Sequence, residues 1–182
     1  WDPFDSAVSH PYHHRYTMYP KADREDVLPL EPSLNLFLLI QLFSINLFSR
    51  AGRVFGKGGA FSTIYLTFLS SMGKTGSKDI HSQEWLQSLH ADQPEEHLKS
   101  IRWSRFLLFF HGSLLIISLA YGLWVIPLII SFPVFIANWA SYFNGLTQHC
   151  GLKDNETDFR KSTRTINLNP ILEFLYWHMN WH

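Results

Sequence analysis

The sequence predicts an all-α integral membrane protein in which a transmembrane helix hairpin carries a histidine-rich cap on its cytosolic side. Three observations lead there. Residues 106–121, "FLLFFHGSLLIISLAY", and 125–143, "VIPLIISFPVFIANWASYF", contain no Asp, Glu, Lys or Arg. Helices of soluble proteins rarely lack a charged face for so long. Arg102 and Arg105 precede this pair, Lys153, Arg160, Lys161 and Arg164 follow it, and the break at "GLW" (residues 122–124) is uncharged. Positive residues favour the cytoplasmic side, so both ends of the hairpin are expected there. The 10 histidines cluster mainly in polar stretches outside the apolar pair.

Taken in order, residues 1–31 are polar and aromatic and contain "HPYHHRYT", in which His10, His13 and His14 form H-x-x-H-H. On a helix, residues three and four apart share a face. Three imidazoles on one face can ligate one metal, or one metal and part of a second; the bland alternative is a solvated histidine loop. Pro11 would then fall in the first turn, where proline is tolerated. Residues 33–49, "SLNLFLLIQLFSINLFS", are apolar but carry Asn35, Gln41 and Asn46. That length is at the lower limit for a bilayer span, so an interfacial or re-entrant helix is expected. "RAGRVFGKGGAF" (50–61) is a basic, glycine-rich break, "FSTIYLTFLSSM" a short apolar patch and "GKTGSK" a loop. Over residues 81–100, Trp85, Leu86, Leu89 and Leu98 are spaced for one amphipathic helix. Each arm of the hairpin can then cross a hydrocarbon core of about 30 Å if flanking aromatics sit in the interface.

Composition excludes several classes. Lys plus Arg and Asp plus Glu both total 15, which gives no electrostatic argument for a nucleic-acid partner. A single cysteine, Cys150, rules out an internal disulfide framework and a cysteine-ligated zinc site. "GKT" at Gly73 resembles the end of a phosphate loop, but the glycine required five residues earlier is Phe68. No His-Glu-x-x-His pattern supports zinc hydrolysis. Asn155-Glu156-Thr157 is a glycosylation sequon that the expected topology leaves in the cytosol, unmodified. The chain starts at Trp1 and stops in "YWHMNWH", and it reads as an internal fragment.

A second histidine group follows the hairpin: His149 in "QHCGL", then His178 and His182, four residues apart. Charge places this group on the cytoplasmic side. If residues 33–49 do not cross, the triplet lies on that side too, and the two groups can meet. His81, His90 and His97 stand among mixed charges and read as surface residues without a metal role. His111 lies inside the apolar span, as a functional group or as a neutral imidazole bonding a neighbouring helix.

"HPYHHRYT", then an apolar hairpin, then "NGLTQHCGL", then "NPILEFLYWHMNWH" resembles the membrane fatty acid desaturase superfamily over essentially the whole chain, residues 1–182. The resemblance implies two iron ions held by three histidine boxes and one extra histidine, with molecular oxygen as co-substrate. His10, His13 and His14 look like the second box, His149 like the extra ligand, and His182 like the first histidine of the third box. His178 is assigned at most a supporting role behind the ligands. The first box and the end of the third would lie outside the chain, so the fragment alone is expected not to turn over. The implied activity is oxygen-dependent desaturation of a fatty acyl or related lipid chain. Hydroxylation and acetylenic-bond formation share such a site, and a non-catalytic membrane protein with a structural histidine-metal site is the alternative from another class. Implied partners are a lipid substrate, the membrane and an external electron donor of cytochrome b5 or ferredoxin type. The implied location is the endoplasmic reticulum membrane in a eukaryote, with the histidine site facing the cytosol.

Overall fold

A computed structural model describes residues 2–16, 36, 40, 43–47, 59–76, 83–136, 147–148, 150–153 and 158–175. Among these residues the fold is all-helical. The helices are α1 (Pro3–Tyr16), α2 (Ala60–Ser71), α3 (Gln83–Asp92), α4 (Pro94–Ala120), α5 (Val125–Ile130), α6 (Pro133–Ile136), α7 (Phe159–Ser162) and α8 (Pro170–Leu175).

The first helix begins earlier than the histidine spacing suggests. Asp2 is its N-cap: Oδ1 accepts from the backbone N–H of Phe4 at 3.1 Å and of Asp5 at 3.2 Å. Pro3 follows at the first helical position, where a missing N–H removes no intrahelical bond. Pro11 is therefore inside the helix and not in its first turn. It removes the bond that would run to the Ala7 carbonyl. Ala7 and Pro11 are both exposed, so the loss falls on the outward side of α1.

The amphipathic stretch expected over 81–100 is two elements. Gln93 and Pro94 interrupt it, and Pro94 opens α4 at a position where its ring is tolerated. From there α4 runs 27 residues without a break. Its first turns carry Glu95, Glu96, Lys99, Arg102 and Arg105; the rest has no charge. At 1.5 Å per residue α4 is about 40 Å long. It is the one helix among the described residues that is long and apolar enough to cross a membrane.

Burial in α4 is the reverse of that in a soluble helix. Ser100, Ser104 and Ser118 are its buried residues, while Phe109, Ile116 and Leu119 are exposed. Small residues let backbones approach closely where apolar surface has no reason to leave its surroundings. The α2–α4 contact is built this way: the Ser104 hydroxyl donates to Ser70 Oγ at 2.9 Å, buried, and Arg105 Nε donates to the Ser71 carbonyl at 2.9 Å. That guanidinium also sits at the negative end of the α2 dipole.

Two glycines end these helices in the same way. Gly73 and Gly122 have φ of 77° and 70°. Gly73 N–H donates to Ser70 O and Lys74 N–H to Leu69 O; Gly122 N–H donates to Leu119 O and Leu123 N–H to Ser118 O. Both are Schellman closures, which need a left-handed residue. After Gly122 the chain turns back far enough for Ser131 Oγ to meet His111 Nδ1 at 2.8 Å. The return consists of α5 and α6, six and four residues, interrupted at Ser131 and Phe132. The helix expected over 33–49 and the end of the second arm, 137–143, lie largely outside the described residues.

Gly122→Ala isolates the backbone term, because a Cβ there meets nothing within 4 Å. It is expected to cost about 1 kcal/mol of stability and Gly122→Asn less, measured by unfolding in detergent. An Ala variant as stable as the parent would remove the case for a left-handed closure.

Candidate functional site

The site grows from the face that α1 turns inward. Asp5, Ser9 and His13 follow one another at intervals of four, and they are 1%, 0% and 6% exposed. This line is polar, so each residue needs a partner. His90 Nε2–H donates to Asp5 Oδ1 at 2.8 Å. The Thr75 hydroxyl meets the other ring nitrogen, Nδ1, at 3.0 Å. The Trp85 indole N–H donates to Ser9 Oγ at 2.7 Å, and its ring takes Tyr12 edge-on at 5.2 Å. The Ser100 hydroxyl donates to Asp2 Oδ2, and Phe4 meets Trp103 at 6.4 Å. α1 is thus held by α3 and by the polar beginning of α4, and the loop after α2 braces α3 through Thr75.

This corrects the reading of His90 as a surface residue: it is 7% exposed, with both ring nitrogens engaged. Leu86, Leu89 and His90 share the inner face of α3, and the two hydrogen bonds offset the desolvation of the imidazole. His97 is half-buried and stacks on His90, ring centroids 3.9 Å apart and planes within 5°. His111 is bonded through Nδ1 to Ser131 Oγ of the returning segment.

The triplet itself is brought together. His10 Nε2 and His14 Nε2 are 2.9 Å apart, on the exposed side of α1. His13 lies beside them facing inward, its ring centroid 5.5 Å from that of His10 and 5.7 Å from that of His14. Two imidazole nitrogens about 2.1 Å from one ion, at right angles around it, lie about 3.0 Å apart. The His10–His14 spacing therefore fits adjacent positions on a single ion. Without an ion, one ring donates to the other. Among the described residues no three His, Cys, Asp or Glu side chains form a complete metal-holding group.

His149, His178 and His182 lie outside the described residues. The backbone on either side of His149 is tied to the segment around α7. Arg164 N–H donates to the Gln148 carbonyl at 3.2 Å, Arg164 Nη2 donates to the Cys150 carbonyl at 2.7 Å, and Lys153 N–H donates to the Lys161 carbonyl at 3.3 Å. Beside this tie, Arg160 bonds both oxygens of Asp158 and holds that carboxyl below its ordinary range, chiefly through the side-chain hydrogen bond.

Sequence reasoning missed the buried line. Its signal was the spacing of Asp5, Ser9 and His13, which only a helix starting at Asp2 makes meaningful.

No protein-family model, curated protein or solved structure matches this chain.

Ser9→Ala removes the acceptor of the Trp85 indole and leaves a donor in a mostly closed seam. It is expected to cost about 1–3 kcal/mol by denaturant or thermal unfolding. A change within error of zero would mean that this bond does not hold α1.

Proposed function

We propose that this chain is part of a membrane histidine-box di-iron oxidoreductase that desaturates a fatty acyl or related lipid chain with molecular oxygen. The observation that carries the reading is the 2.9 Å spacing of His10 and His14 Nε2 on one turn of α1, within an H-x-x-H-H sequence. It is supported by α4, whose uncharged part exposes Phe109, Ile116 and Leu119 to what would be lipid. Neutral imidazole is a suitable donor for iron and adds no negative charge to the site. When bound, the irons supply an oxidant strong enough to take hydrogen from an unactivated C–H bond.

The residues of this chain have divided tasks. His10, His13, His14, His149 and His182 provide nitrogens, with His178 in support. The apolar length of α4 and the segment returning after Gly122 form a transmembrane hairpin and wall a path for the acyl chain. The polar start of α4 carries the histidine helix on the cytosolic side. Electrons come from an external donor of cytochrome b5 or ferredoxin type.

Iron per protein and product per minute, measured on the full-length protein in detergent with lipid and reductant, test the proposal. His10→Ala, His13→Ala and His14→Ala are each expected to lower both by at least roughly the 10–100-fold typical of losing a ligand's outer partner. His81→Ala is expected to leave both near normal. Full iron content and turnover in His13→Ala would sink the proposal.

The topology has its own test. In a Cys150→Ser background, Gly122→Cys is expected to react with a membrane-impermeant thiol reagent only from the non-cytoplasmic side. Labelling from the cytoplasm alone would reverse the hairpin.

A further inference from the structure

A helix that presents metal ligands must be fixed in rotation as well as in place. Successive residues are 100° apart around an α-helix, so a slip of one residue turns His10 and His14 away from wherever they pointed. An apolar face tolerates such slips, because one methyl group fits a groove nearly as well as another. Paired hydrogen-bond donors and acceptors do not, which is why buried polar groups are best attested as devices that fix register.

The inward line of α1 is of the second kind. Asp5 and Ser9 face His90 and Trp85, two residues of α3 that are five apart and each offer one ring N–H. His13 continues the same line about 12 Å from Asp5. His90 is itself locked: Thr75 engages its second nitrogen, and His97 lies flat on its ring at 3.9 Å. The imidazole therefore has no free nitrogen, and one of its faces is covered by His97.

We propose that Asp5, His90 and Thr75, with Ser9–Trp85 one turn along, are positioning residues that set the rotation of α1 so that His10 and His14 meet one ion while His13 faces inward. The proposal rests on the reading of the triplet as metal ligands. It predicts that metal affinity depends on a hydrogen bond more than one turn away from the nearest ligand, on a residue outside every histidine box.

Cobalt(II) is the probe, added to the metal-free full-length protein in detergent and followed by its visible ligand-field absorption. Thermal unfolding of the metal-free form is measured alongside. His90→Leu removes both ring bonds and is expected to weaken cobalt binding roughly 10–100-fold. His90→Gln places an amide N–H near the former Nε2 and is expected to recover binding to within about threefold of the parent, since the donor is restored. Asp5→Ala removes the acceptor of the His90 N–H, gives a second variant should His90→Leu fail to fold, and is expected to lose roughly tenfold. A structural role alone would lower the unfolding midpoint and leave the cobalt affinity and spectrum of the folded fraction unchanged. That result in Asp5→Ala, or His90→Gln binding as weakly as His90→Leu, overturns the proposal. His13→Leu separates the two readings. If it binds cobalt like the parent, the triplet is not a ligand set. If it loses cobalt while His90→Leu and Asp5→Ala keep it, the ligand set stands and the positioning role falls.

Discussion

The hydrogen bond between His90 and Asp5 is the contact on which the arrangement of the polar helices depends. It joins α1 to α3 across 85 residues of sequence, at 2.8 Å and out of solvent. A buried carboxylate left without a donor is costly, so the two helices hold each other to one setting. Thr75 brings the loop after α2 into the same bond network, and His97 brings in the start of α4 through its stacked ring. The histidine triplet inherits its direction from this joint.

The distribution of side chains around that joint is inverted relative to a water-soluble domain. Ala60, Leu86, Leu89 and Pro127 are buried apolar residues, and Asp5, Ser9, His13, His90, Ser100 and Ser104 are buried as well. Water usually drives apolar groups inward; in hydrocarbon that drive is absent, and close packing with satisfied polar groups remains. The serine contact between α2 and α4 follows this rule, while the indole and imidazole contacts of α1 follow the ordinary rule that a buried donor finds an acceptor. One helix, α4, joins a charged beginning to an uncharged length long and apolar enough to cross a membrane, and the change falls where its charges end after Arg105.

Much of this was legible in the chain, and the failures have physical reasons. The turn at Gly122 was readable because an uncharged break with glycine between apolar runs has few other meanings. The extent of α1 was not read, although Asp2-Pro3 is an N-cap followed by a proline at the first helical position. The histidine spacing drew the boundary toward itself and put Pro11 at the start of the helix. Pro94 was likewise passed over inside a stretch whose leucines kept helical spacing on both sides. His90 was misread because sequence shows an imidazole among charges and does not show the Asp5 carboxylate that faces it. Proximity of His10 and His14 followed from spacing alone, as four residues on a helix guarantee it. The inward setting of His13 did not, since that depends on which face of α1 finds α3.

Asp2 carries a consequence of a different kind. Its Oδ1 starts α1 by capping Phe4 and Asp5, and its Oδ2 takes the Ser100 hydroxyl on α4. Isolated helices of this length are marginal in water because the first turn is costly to form. Here the carboxylate that lowers the cost of that turn is also the one that binds the long helix. Nucleation and docking reinforce each other, and α1 gains helical order as it lands. Removing this one carboxylate would therefore weaken the start of α1 and its attachment to α4 together.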